Sequence, residues 1–395
     1  MRLVHLSDIH LGFRQYQRQT PIGINQREAD VATSLRRVID TVIELRPDLV
    51  LIAGDVFHTV RPTNPAILHA FMQFSRLVQM LPDTRVVMVA GNHDTPRSAE
   101  TGCILRLFTP LGITVVEGTP QRIPFAEHDL SILAVPDMAG ARPVLEPDAA
   151  SRYNILLLHG EIEGVLPRYG ANLDRSPMAI TQKELGAERW DYVALGHYHV
   201  YRSVAPNAFY SGSLDYTSTN PWGELTEERE AGIGGKGIIE HDLATGTHKF
   251  HHIPPSRVWV DLAQLSGSGL SPAALDAAIR DALEGCEGGI DDKIVRLVVR
   301  DVPRHILRDL DHKALRDFKR KALHFHLDTR RPEIQREAGQ AAPGRRASLA
   351  DTVRDKLRSR ILTEDIDRES LVELGLHYLR EADLVAAPAI DGDAA

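Results

Sequence analysis

Five apolar runs of this chain each end in residues that bind metal ions: Ser7-Asp8-Ile9-His10, Gly54-Asp55-Val56-Phe57-His58, Gly91-Asn92-His93-Asp94, His159-Gly160-Glu161 and Gly196-His197-Tyr198-His199. Carboxylate, amide oxygen and imidazole together suit Mn²⁺, Fe²⁺ or Zn²⁺ better than Ca²⁺. An Asp or Asn after a strand is ordinarily a turn or cap residue, and a lone His ordinarily a surface one. Capping gives no reason for seven such residues on five strand ends, so Asp8, His10, Asp55, Asn92, His159, His197 and His199 read together as a two-metal hydrolase centre. Paired divalent ions can activate water and neutralise phosphate oxygens. Asp55, in a Gly-Asp turn where backbone can approach closely, is the expected bridge. Asp8, His10 and His199 would complete one site, and Asn92, His159 and His197 the other.

Such a centre needs a sheet edge. Residues 1–255 alternate short Val/Ile/Leu-rich runs with helical patterns, the signature of an α/β layered domain. Leu3 to Leu6, Leu49 to Ala53, Val86 to Ala90, Ile155 to Leu158 and Tyr192 to Leu195 are continuous apolar strands that expect cover on both faces. Val31, Leu35, Val38, Val42 and Leu45 recur at helical spacing and would cover one face. Gly237 to Asp242 and His248 to Ile253 flank Ala244-Thr245-Gly246 as an antiparallel hairpin.

After Pro254-Pro255 a second, small α/β unit is expected over 256–331: strand Val258 to Leu262, helix Pro272 to Leu283, strand Lys293 to Val299, helix Asp311 to Lys321 and strand Leu323 to Leu327. A linker (332–347) leads to a helical segment (348–383), read as amphipathic helices from Ser348 to Leu362 and Ile366 to Ala382. A disordered tail is expected over 384–395. The segment Thr219 to Lys236 receives no role.

The 43% hydrophobic and 25% charged content over 395 residues is that of a globular protein with room for two domains. Cys103 and Cys286, the two cysteines, make a disulfide framework or Cys-based zinc site an unsuitable reading and fit a reducing cytoplasm. Neither an apolar run of roughly 18 residues nor a signal peptide is seen, so a cytoplasmic protein is expected, with no membrane. The net charge of −8 leaves nucleic acid to a local patch or to the metals.

Asp-x-His, Gly-Asp, Gly-Asn-His-Asp, a strand-ending His-Gly and Gly-His-x-His, in that order, resemble the calcineurin-like metallophosphoesterase superfamily over residues 1 to about 255. The resemblance implies an α/β fold, a two-sheet αββα sandwich with metals at the strand ends. Phosphoprotein phosphatases of that superfamily carry Gly-Asp-x-x-Asp-Arg-Gly, whereas here His58 and Thr59 stand where the Asp and Arg would be. The clamp for a terminal phosphate is missing. Gly54-Asp55-Val56-Phe57-His58 with Arg61-Pro62 instead is similar to the SbcD family of DNA repair exonucleases, as are Leu6 to Gly12 and Ser211-Gly212-Ser213.

That resemblance implies a capping domain, two divalent ions with Mn²⁺ as the expected activator, DNA ends as substrate, and an SbcC-type, SMC-like ABC ATPase docked by the C-terminal helices. It also implies dimers, for which the Ala66 to Met80 helix is the candidate interface. Between Lys293 and Arg331 twelve basic residues face five acidic ones, a local excess of +7 that could contact DNA backbone or simply be a solvated face. His93, next to Asn92, would act as general acid or oxyanion stabiliser, and His58 would seat the phosphate or orient His93. Asp94 suits a turn role at least as well. The competing readings are a small-nucleotide phosphodiesterase or phosphatase on the same metal core and a non-catalytic DNA-end scaffold.

Overall fold

In a computed structural model of the chain the architecture is described for residues 1–96, 102–138, 140, 142–165, 178–332, 349–359 and 367–386. The apolar runs form two six-stranded mixed sheets packed face to face. In the first, strands Arg2–Leu6, Leu49–Ile52, Arg85–Val89 and Thr114–Val116 run parallel in that order, with the hairpin Gly237–Asp242 and Thr247–His252 added antiparallel beside Arg2–Leu6. In the second, the parallel centre is Leu130–Val135, Tyr153–His159, Tyr192–Gly196 and Ala208–Tyr210, edged by the antiparallel strands Gln121–Phe125 and Arg202–Ala205. This is the expected α/β two-sheet sandwich.

Side-chain alternation explains why these strands read as unbroken apolar runs. Leu3, Leu49, Leu51, Val87 and Val89 point into the layer between the sheets, where they meet Ile132, Ile155, Leu157, Ala194 and Phe209. Their neighbours Val4, Leu6, Val50, Ile52 and Met88 point outward, beneath helices Gln26–Leu45 and Asn64–Met80. On the far face Leu133, Leu156, Leu158, Val193 and Leu195 are covered by Ile162, Leu185 and Trp190. Both faces of each sheet are therefore buried, and parallel register brings the strand C-termini to one edge: Leu6 lies beside Ile52, Ile52 beside Met88, and Gly196 beside His159.

Residues 259–329 build a third sheet. Trp259–Asp261 and Leu265–Ser266 pair along one side of Ile294–Arg300, and His324–Thr329 along the other, all parallel. Leu275, Ile279 and Leu283 of helix Pro272–Glu284 cover Val295, Leu297 and Val299. Trp222 and Tyr16 of the sandwich pack with Trp259, Ile294 and Leu323 of this sheet. Arg296 pairs with Asp261 through two hydrogen bonds of 2.8 and 2.6 Å, and Lys321 lies 3.5 Å from Asp291. Part of the basic excess is thus neutralised by acids outside the span counted.

The chain divides into two compact units, Met1–Pro332 and Glu333–Ala395. In the second, helices Leu349–Ser359 and Arg368–Ala386 pack with Leu357 and Val353 against Gly375, joined by an Arg358 to Glu369 ion pair of 3.1 Å. Leu349, Leu374 and Tyr378 remain exposed. The second helix runs through Ala386, past the expected start of the tail at 384. Residues 333–347 of the expected linker, Ser348 and residues 360–366 of the expected helical segment, and residues 387–395 lie outside the described residues. No described helix is long and apolar enough to cross a membrane.

Candidate metal centre

All seven candidate ligands meet at the common edge of the two sheets. Asp8, His10, Asp55, His159, His197 and His199 are each at most 5% exposed, and Asn92 is half-buried. Asp8, His10 and His199 bring ligand atoms within 4.8 Å of one another, and so do Asp8, Asp55 and His159. Asp55 Oδ2 stands between the two halves, 3.8 Å from His10 Nε2 and 3.5 Å from His159 Nε2. Asn92 Oδ1 lies 3.0 Å from His159 Nε2 and 3.2 Å from His197 Nδ1.

The local backbone is bent to achieve this. Asp8, His10, Asp55 and His197 all have positive φ (51°, 51°, 51° and 104°), a region that side chains other than glycine rarely adopt. Asp8 N donates to the Gly54 carbonyl (3.0 Å) and His10 N to the Asp55 carbonyl (2.9 Å), locking one strand-end turn onto the next. Glycine is required where turns cross: a Cβ on Gly91 would overlap the Asp55 carboxylate, and one on Gly196 the Ala53 carbonyl.

The donor set fits divalent cations, and hydrogen-bond accounting shows why. His159 Nδ1 lies 2.7 Å from the Ala53 carbonyl, which can only accept, so Nδ1 carries the hydrogen. In the neutral ring Nε2 then aims a lone pair at Asn92 Oδ1 and Asp55 Oδ2, two further acceptors. His10 Nε2 and His199 Nε2 lie 3.0 Å apart. Burial, then the neighbouring imidazoles, hold His10 well below the usual histidine range. Asp8 is pushed above the usual carboxylate range by burial, opposed by His199 and His159. Lone pairs and carboxylates crowded in this way call for positive charge between them.

His93 has its Nδ1 2.8 Å from the His58 carbonyl, which can only accept, so that nitrogen donates. Its backbone N–H donates to Asp55 Oδ1 (2.9 Å). The His58 ring stacks on His93 with centroids 5.1 Å apart, and its Nδ1 lies 3.4 Å from His10 Nδ1. His58 thus touches both His93 and a candidate ligand. Asp94 is a turn residue: its buried carboxylate accepts from the N–H groups of Val56, Phe57 and Gly91 at 3.0–3.1 Å.

The segment Thr219 to Lys236, which carried no assignment, contains helix Pro221–Glu230 and contributes to the centre. Glu224 is fully buried, its carboxylate paired with Lys236 and 3.5 Å from His199 Nδ1. Burial would raise Glu224, but Lys236 and then His199 outweigh it and bring it to about 2. The sequence signal was present: Asn220 caps the helix and Pro221 takes its first turn.

Comparison with known proteins agrees with this geometry. The family model for calcineurin-like phosphoesterase matches residues 1–201. Over 256 residues the chain is 27% identical to the DNA double-strand break repair protein Mre11 of Methanocaldococcus jannaschii, covering 62% of this chain and 63% of that protein. It is 25% identical over 254 residues to the protein of that name from Methanococcus maripaludis (62% and 63%), and 30% identical over 178 residues to that of Sulfolobus acidocaldarius (43% and 44%). The similarity thus spans less than two thirds of these relatives' length. With its sandwich, its strand-end cluster of candidate ligands and a family match across half its length, the chain belongs to the calcineurin-like phosphoesterases.

Proposed function

We propose that this protein is a metal-dependent DNA nuclease that hydrolyses phosphodiester bonds at DNA ends, acting as an exonuclease in double-strand-break repair beside an SbcC-type ABC ATPase. The observation that carries the reading is the Gly54 to His58 turn. Where a phosphomonoesterase would place its Asp and Arg clamp, this chain has His58, whose carbonyl and ring both engage His93. The relatives named for double-strand break repair support the same substrate class.

Asp8, His10 and His199 would hold one divalent ion and Asn92, His159 and His197 the other, with Asp55 shared; Mn²⁺ is the expected ion. When bound, the pair supplies Lewis acidity and a water of lowered pKa. The protein's own part is proton handling and placement. His93, its Nδ1 hydrogen committed to His58, presents Nε2 to the departing sugar oxygen. Arg18, Lys319 and Arg320 border a hollow of about 570 Å³ between the sandwich and the third sheet, which suits phosphate backbone. On the helix Asn64–Met80, Leu68, Met72 and Met80 are exposed, which favours that face for dimerisation.

The test is degradation of linear duplex DNA with Mn²⁺. His93→Asn is expected to retain metal and DNA binding yet lose roughly 10²-fold or more in rate. Faster turnover of cyclic nucleotides than of DNA would overturn the assignment. Removing residues 333–395 should abolish ATPase capture, and undiminished capture would refute the docking role.

A further inference from the structure

Helix Pro221–Glu230 turns Glu224 and Glu228, one helical turn apart, away from solvent, at 0% and 3% exposure. Burying two carboxylates is costly unless each is paired. Their one buried cation, Lys236, pairs with both and donates to the His199 carbonyl at 2.9 Å. Tyr216 donates its hydroxyl to Glu228 Oε2 at 2.7 Å. Two carboxylates against one ammonium leave one negative charge over. That surplus faces a ligand: Glu224 Oε1 and His199 Nδ1 lie 3.5 Å apart, and neither has a hydrogen-bond partner closer.

We propose that Glu224, anchored by Lys236, is the positioning residue of the metal centre. It keeps the hydrogen of His199 on Nδ1, so that the Nε2 lone pair points towards Asp8 and His10, and its charge strengthens cation binding at that half. Lys236 fixes the same histidine through its backbone. Carboxylates behind metal-binding histidines typically change metal affinity by about 10–100-fold. The proposal rests on the two-metal reading, and the experiment separates the two.

Mn²⁺ alone is titrated into the full chain, with free ion followed by electron paramagnetic resonance. Two ions are expected to bind the natural protein. In Glu224→Ala one of them should bind about 10–100-fold more weakly and the other as before. Glu228→Gln, which removes the other partner of Lys236 without touching His199, should lower thermal stability and leave both affinities intact. Folded Glu224→Ala binding both ions normally, or Glu228→Gln losing affinity equally, would overturn the proposal. Should Glu224→Ala fail to fold, Glu224→Asp keeps the charge but withdraws it from His199; the same one-site loss is expected, and unchanged affinity would be fatal. A natural protein that binds no pair of ions would instead refute the two-metal reading.

Discussion

Replacing Arg27 by Met should destabilise the Met1–Pro332 unit by about 3–5 kcal/mol, the scale of breaking a buried ion pair from one side. Arg27 has no exposed surface; Nη2 donates to Asp215 Oδ1 at 2.7 Å and to the Tyr216 carbonyl at 3.1 Å, and Nη1 donates to Asp30 Oδ2 at 3.2 Å. Its guanidinium carbon also lies 5.4 Å from the Trp259 ring. Met fills the stem's volume but strands the charges unequally. Asp30 keeps Arg257 at 3.0 Å, whereas fully buried Asp215 keeps the neutral donors Ser34 Oγ and Tyr216 N at 2.8 Å. Arg27→Met/Asp215→Asn removes the stranded charge, so a double-mutant cycle should give a coupling of about 2 kcal/mol or more. Urea unfolding followed by tryptophan fluorescence reads this unit, since Trp190, Trp222 and Trp259 all fall within it. A single-variant loss below about 1 kcal/mol, or strict additivity, would refute the reasoning. Disruption should also reach the metal centre, because Ser213 bridges the Asp215 and His199 carbonyls.

Gly91→Ala would push a methyl into the Asp55 carboxylate and should weaken metal binding at both halves; metal content after dialysis measures it, and two tightly held ions would refute it. Burial lowers His5 to about 3, against the opposing Leu195 carbonyl, and burial followed by His248 lowers His241 to about 4. Below about pH 6.5 the unfolded chain binds protons that the folded chain refuses, so stability should fall as pH drops from 6.5 towards 4. His5→Gln should reduce that slope by about 1.4 kcal/mol per pH unit in urea titrations, and an unchanged slope would sink the assignment. Reversing Lys319, Arg320 and Lys321 to Glu should flatten the salt dependence of DNA affinity by about two phosphate contacts, whereas an unaltered slope would leave that helix a solvated face.

The candidate site was legible because its strands are buried on both faces and therefore announce themselves as unbroken apolar runs, so that the first polar residue after each run marks the sheet edge. Edge strands gave no such signal: Gln121–Phe125 and Arg202–Ala205 are half-exposed and alternate poorly. Helix Pro221–Glu230 was missed for a different reason. Its inward face carries Glu224 and Glu228 rather than apolar residues, so hydrophobic periodicity could not find it, although its cap could. Charge counting along 293–331 failed to see Asp261 and Asp291, which neutralise Arg296 and Lys321 from outside that span.

The irregularities of this molecule concentrate where the two sheets end. Four of the seven candidate ligands sit at positive φ, each costing on the order of 1 kcal/mol or more, and the carboxylates and lone pairs there face one another. None of this assists folding, so the rest of the sandwich must hold it in place. The strand-end hydrogen bonds Asp8 N to Gly54 O and His10 N to Asp55 O do so directly, as do the three N–H groups bound by Asp94. A turn residue such as Asp94 therefore supports the candidate centre: it ties the Asp55 and Asn92 loops together. Strain maintained in this way is what a preorganised cation site requires, because ligands free to relax apart would lose their mutual repulsion and, with it, their demand for metal.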